Sequence, residues 1–139
     1  DPKMTRFNIS IEEGVELVLH ALNNALGGEI FVPKIPSYNI IDMVKAICPK
    51  CKISIVGVRP GEKIHEEMIT LSDSPTTYDL GKYYVILPYS PNKELENNIQ
   101  RINAKKVKEG FSYNSKDNPH YLKVEELKEM ILKFKENFE

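Results

Sequence analysis

The sequence predicts an α/β fold, and three observations carry that prediction. Helical and extended segments alternate along the chain, in the order helix, strand, helix, strand, short helix, strand, helix. The 139 residues suit one compact domain. Hydrophobic residues make up 41% and charged residues 28%, so a sizeable core can be buried and global disorder is not expected.

Met4-Thr5-Arg6-Phe7 follows a turn-prone start. Ser10-Ile11-Glu12-Glu13 is a capping box, with a serine at the N-cap and a glutamate three residues on. Val15, Val18, Leu19, Leu22 and Leu26 then recur at helical spacing, and Gly27-Gly28 ends the helix. His20 inside this run is read as a packed or surface histidine. Glu29 to Val32 is a short strand, and Pro33 and Pro36 bracket a loop. Asn39 caps a second helix with Ile40, Met43, Val44 and Ile47 as its buried face, and Pro49 ends it. Ile53 to Val58 reads as a strand.

After the corner at Arg59-Pro60-Gly61, a charged run from Glu62 to Glu67 reads as a short helix, with Lys63 and Glu67 four apart. Thr70 to Gly81 is a loop with an extended piece around Tyr78. Tyr83 to Leu87, aromatic and β-branched, is a strand. The polar run from Asn92 to Glu109 carries one helical stripe of Leu95, Ile99 and Ile102. Its Lys105, Lys106 and Lys108 are read as a solvated helix face. Gly110 to Pro119 is turn-rich. Val124, Leu127, Met130, Ile131 and Phe134 mark a last helix, with Lys133 and Lys135 suited to the dipole at its C-terminus.

The corner at residues 59–67 is the stretch with the most chemistry. Glycine lets a backbone approach a ligand closely, and free N–H groups at a helix start favour anions. Arg59 adds a planar, permanently charged fork suited to phosphate oxygens. Glu62 stands where a carboxylate can accept hydrogen bonds from a sugar diol. The stretch is therefore either half of a pocket for a phosphorylated sugar or an ordinary strand–turn–helix corner with solvated charges.

Composition narrows the function classes. The formal net charge is -1, so neither a nucleic-acid surface nor an anionic-membrane surface is expected. No apolar run approaches the ~20 residues needed to span a bilayer. The chain opens Asp1-Pro2-Lys3, without a starting Met, a basic n-region or an apolar h-region, which suggests a cytoplasmic protein and a chain cut from something longer.

The two cysteines form Cys48-Pro49-Lys50-Cys51. A lone C-x-x-C is half of a four-ligand zinc site, and its position after a helix and before a strand reverses the redox arrangement. It is read as a turn that carries thiols, with no metal assigned. A metal or redox module built on the pair is the weaker alternative, and the spacing of His65 or His120 gives no support for a further ligand.

No G-x-G-x-x-G, P-loop, G-x-S-x-G or H-E-x-x-H occurs. Tyr-x-x-x-Lys occurs at Tyr78/Lys82 and Tyr89/Lys93, but Gly81 and Pro91 interrupt the helix that the spacing would need, so neither is read as catalytic. Tyr83, Tyr84 and Tyr89 are read as strand packing.

Three spaced segments, Met4-Thr5-Arg6-Phe7, Gly28 to Lys34 and Arg59 to Glu66, together resemble the C-terminal half of the extended short-chain dehydrogenase/reductases that act on UDP-sugars. Within that family the sequence is similar to the inverting UDP-N-acetylglucosamine 4,6-dehydratases of polysaccharide and flagellin-glycan synthesis. Gly110-Phe111-Ser112-Tyr113 and Asn118-Pro119 extend the resemblance through most of the chain. It implies that residues 1–139 are a UDP-sugar-binding portion, with the Rossmann half, its bound NADP and the catalytic residues absent from this chain. Arg59 would hold the diphosphate and Glu62 the uridine ribose. Arg6 would be a second contact near the phosphates with Thr5 beside it, and Lys34 has no assigned role.

The implied function is the substrate-binding part of a UDP-N-acetylglucosamine 4,6-dehydratase, an NADP-dependent lyase that is a homo-oligomer when complete and inactive as this portion alone. The alternatives are a UDP-sugar 4-epimerase and a non-catalytic binding remnant. Asn8, Lys116 and Lys123 depart from the family pattern. Lys123 stands where a Ser or Thr would cap the last helix, so that cap is expected to be missing, at a cost of about 0.5–2 kcal/mol.

Overall fold

A computed structural model describes residues 1–136, the side chains of Lys135 and Glu136 excepted. The strands are β1 (Thr5–Phe7), β2 (Ile30–Pro33), β3 (Ser37–Asn39), β4 (Glu67–Ile69), β5 (Thr77–Asp79), β6 (Tyr83–Ile86), β7 (Lys105–Lys106) and β8 (Tyr113–Asn114). The helices are α1 (Ile11–Asn24), α2 (Ile40–Ile47), α3 (Lys93–Arg101) and α4 (Val124–Glu136), with a 3-10 helix at Leu71–Thr76. The chain divides into two compact units. One takes Asp1–Asn8, Ile35–Glu66 and the residues from Asn114 onward, and the other takes Ile9–Lys34 and Glu67–Tyr113.

In the first unit β1 pairs antiparallel with β3, placing Thr5 opposite Asn39, Arg6 opposite Tyr38 and Phe7 opposite Ser37. Asn39 then starts α2, its side-chain oxygen accepting from the Ile41 N–H at 2.8 Å. Helices α2 and α4 pack on each other. Met4, Ile35, Leu122 and Leu127 are buried, while Ile47 at the end of the α2 face is 64% exposed. The buried Asn118 amide donates to the Ile35 carbonyl at 2.8 Å, and Leu122 N donates to Ser37 O at 2.8 Å, which binds the turn-rich segment to β3.

Lys123 makes no side-chain cap. Instead the Glu126 carboxylate reaches back to the Lys123 N–H at 2.8 Å, so one helix-start donor is satisfied from within the first turn. Cys48 is the C-cap of α2 and is joined to Cys51 in a disulfide, where free thiols are expected from the sequence.

The second unit is a four-stranded antiparallel sheet in the order β2-β6-β5-β7, with α1 and α3. Its core is Val85, Leu87, Leu95 and Ile99, with Leu26, Phe31, Tyr78 and Leu80 against it. Both halves of the predicted capping box are present at α1: Ser10 Oγ accepts from Glu13 N, and the Glu13 carboxylate accepts from Ser10 N. His20 stacks on Tyr83 at 4.3 Å and meets Phe31 edge-on at 5.0 Å, as a packed histidine does. Tyr83 is buried, but Tyr89 is 97% exposed and packs in no strand.

Helix α3 is shorter than the polar run suggests. Asn103 takes a φ of 50°, a left-handed turn that ends the helix and frees Lys105 and Lys106 to form the edge strand β7 rather than a helix face. Lysines on an exposed edge discourage pairing with other chains.

Lys34 Nζ contacts Asp79 at 2.6 Å and lies 4.4 Å from the Tyr84 ring centroid. Burial pushes the Asp79 carboxyl up, but the Lys34 hydrogen bond, the Gly81 N–H and the positive charges of Lys34 and Lys105 outweigh it and hold the group below its ordinary value. A carboxylate lowered by folding contributes stability above its unfolded pKa and loses it as pH falls through the folded one. The stability difference between wild type and Asp79→Asn is therefore expected to be largest above about pH 5 and to shrink below about pH 4. Urea midpoints across that range measure it, and a constant difference would count against the assignment.

The stretch from residue 53 to residue 67 differs from the sequence expectation. Residues 53–58 form no strand, and residues 62–67 form no helix. Ile53, Ile55, Val56 and Val58 are 44%, 54%, 80% and 39% exposed, and no strand pairs with them among the described residues. β-Branched side chains favour extension, but a strand exists only where a neighbour takes its hydrogen bonds. From Arg59 a single turn, Glu62 N to Arg59 O at 3.0 Å, leads toward β4, so Lys63 and Glu67 share no helix face.

Candidate functional site

Since no helix starts at residue 62, the anion-binding argument from helix N–H groups does not apply there. The segment is held by other means. Strand β1 runs beside residues 62–66 and ties them down repeatedly. Thr5 N donates to Ile64 O at 3.0 Å, and Phe7 N donates to the Glu66 carboxylate at 2.8 Å. Ser115 closes the other side: Ser115 N donates to Glu66 O at 2.8 Å, and Glu66 N donates to Ser115 Oγ at 2.9 Å.

Arg6 stands at the centre of this arrangement. Its Nη1 donates to Thr5 O at 2.7 Å and to Ile64 O at 3.2 Å. Its Nη2 lies 3.7 Å from a Glu62 oxygen, and its Nε lies 3.7 Å from a Glu66 oxygen. The Glu62 and Glu66 side chains are 36% and 44% exposed, so each pair is screened and contributes at most about 1 kcal/mol. Their value is positional: one guanidinium fixes two carboxylates. Tyr38, opposite Arg6, has its phenol pushed up by burial and by Glu66, against the opposing charge of Arg6.

The four residues singled out from the sequence therefore fall into distinct settings. Thr5 is buried, and Arg6 and Glu62 meet as an ion pair. Arg59 N donates to the Glu62 carboxylate at 3.2 Å, while its exposed guanidinium makes no ion pair among the described residues. Thus Arg6, Glu62 and the Arg59 backbone are brought together, with one cationic fork left open to solvent. Sequence reasoning did not single out Glu66, His65 or Ser115 as site residues. All three interact with β1 or with each other's segment, and no local spacing announces contacts 49 and 60 residues apart.

Among the described residues no group of three or more His, Cys, Asp or Glu is placed to hold a metal ion. No helix among them is long and apolar enough to cross a membrane.

The chain is similar to several known proteins. A family model described as polysaccharide biosynthesis protein matches residues 1–88. The chain is 46% identical over 136 residues to a UDP-N-acetylglucosamine 4,6-dehydratase (inverting) of Campylobacter jejuni, covering 94% of this chain and 40% of that protein. It is 36% identical over 139 residues to a UDP-glucose 4-epimerase of Rickettsia canadensis, covering 95% of this chain and 39% of that one. A crystal structure of Pen from Bacillus thuringiensis superposes with a TM-score of 0.78 at 29% identity, over 97% of this chain and 40% of that chain. The chain thus spans about two fifths of the length of the relatives it matches. Matched over its first 88 residues, including all of Thr5, Arg6, Arg59 and Glu62, the chain belongs to the polysaccharide biosynthesis protein family.

Proposed function

We propose that this chain is the UDP-sugar-binding part of an inverting UDP-N-acetylglucosamine 4,6-dehydratase. The observation that carries the proposal is the Arg6–Glu62 pair beside an open Arg59 guanidinium, in a chain 46% identical to a protein of that name. In this reading Arg59 neutralises the diphosphate, Glu62 accepts hydrogen bonds from the ribose hydroxyls, and Arg6 adds a second contact near the phosphates with Thr5 beside it.

The rest of the complete protein holds NADP and the groups that oxidise C4, remove water across C5 and C6 and return hydride to C6. This chain then supplies grip and orientation. The complete enzyme works in the cytoplasm as a homo-oligomer.

A second reading, UDP-sugar 4-epimerase, is favoured by the 36% identity to a protein of that name. Product analysis of the complete protein by NMR separates the two. A 4-keto-6-deoxy sugar supports the dehydratase, a C4 epimer supports the epimerase, and no conversion of either kind would leave a non-catalytic binding remnant.

Arg59→Ala in the complete protein is expected to weaken UDP-sugar binding by about 1.5–3 kcal/mol, the scale of a charge-assisted hydrogen bond. Equal affinity by calorimetry would remove the phosphate assignment. Glu62→Gln is expected to change nucleotide affinity more than turnover.

A further inference from the structure

Residues 59–66 contain no helix or strand, and Arg59 to Ile64 are exposed. A segment with so little burial is expected to sample many conformations unless specific bonds hold it. Beneath it lies a chain of hydroxyls. Thr5 Oγ1 is 2.8 Å from His65 Nδ1 and 2.6 Å from Ser115 Oγ. Ser115 is fully buried and Thr5 is 5% exposed.

The direction of these bonds follows from satisfying every donor. Ser115 Oγ already accepts from Glu66 N. If Thr5 donated to Ser115, the buried Ser115 proton would have no acceptor among the described residues, which is costly. The satisfied arrangement runs the other way: Ser115 O–H donates to Thr5 Oγ1, Thr5 O–H donates to His65 Nδ1, and His65 carries its proton on Nε2. Each member then makes the bond that its neighbour needs. The relay joins β1 to position 115 and grips the segment at its last two residues, 65 and 66.

We infer that Thr5, His65 and Ser115 are positioning residues that act through residues 59–66, setting Arg59 and Glu62 for the nucleotide. Thr5 in this role touches no ligand, because its hydroxyl is committed on both sides. The inference rests on the nucleotide-sugar reading for its ligand, but the order of the segment can be measured without one.

The test uses the complete protein with UDP as probe. His65→Leu removes the acceptor for Thr5. His65→Asn keeps an acceptor near the Nδ1 position, and it guards against a variant that merely misfolds. His65→Leu is expected to weaken UDP binding about tenfold or more in the wild-type background and less than about threefold when Arg59→Ala and Glu62→Gln are already present, since residues acting through one another are not additive. His65→Asn is expected to recover most of the loss.

Amide hydrogen exchange at residues 59–64 is expected to rise about tenfold in His65→Leu and in Ser115→Ala, but not in His65→Asn. Unchanged UDP affinity in His65→Leu, full additivity, or unchanged exchange would each overturn the inference. If the Arg59→Ala, Glu62→Gln protein binds UDP as wild type does, the nucleotide reading fails, and the exchange comparison still decides the positioning role.

Discussion

Leu127→Ala is expected to destabilise the protein by about 2–5 kcal/mol, the range for emptying a leucine site in a packed interior. Leu127 is 1% exposed, on the helix that packs against α2. Replacing its isobutyl side chain by a methyl group loses the transfer free energy of three carbons and leaves a cavity that two helices can only partly close. Leucine and alanine are both good helix formers, so propensity cannot account for a loss of that size. Leu132, on the same helix but 58% exposed, is the matched control, and Leu132→Ala is expected to cost under about 0.5 kcal/mol. Urea titration with an unchanged slope measures both. Similar small shifts in the two variants would mean that α4 is not packed as described.

Leu95→Ala is expected to cost a similar amount, about 2–5 kcal/mol, in the other unit. Leu95 is 2% exposed and shares a core with Val85, Leu87 and Ile99. It also lies in the first turn of α3, where its N–H donates to the Asn92 side chain at 2.7 Å. The substitution keeps that cap and removes only the packing, so the effect reports the core. Leu95→Met, which conserves volume, is expected to cost less than about 1.5 kcal/mol. If methionine and alanine were equally damaging, shape rather than a cavity would be the cause.

What the sequence made legible was local. The starts of α1 and α2 and the end of α2 were readable because caps and turn residues act within a few positions, and α4 was readable from its apolar spacing. The capping box at Ser10 and Glu13 and the Asn39 cap are of this kind. The errors were non-local. Residues 53–58 carry the side chains of a strand, but side chains do not supply a partner. β1 and β3 were missed because three residues each give too short a pattern, and their pairing joins residues about 30 positions apart or more.

The site divides in the same way. The residue types at Arg59 and Glu62 could be picked out as chemistry, and Arg6 only through the family resemblance. The contacts from Thr5 to His65 and Ser115 could not, because they are properties of the fold. The family itself was legible through resemblance rather than periodicity, and the family match over residues 1–88 agrees with it.

The uncovered run from Ile53 to Val58 has one more consequence. Six residues with little charge, mostly β-branched and without proline, are the kind of sequence that stacks into cross-β ladders when it meets its own copies. Lys52 and the Arg59-Pro60 pair flank it on either side, as gatekeepers that oppose such stacking. The exposed Arg59 guanidinium therefore also guards solubility, and neutralising it should make the protein more prone to fibril formation during refolding.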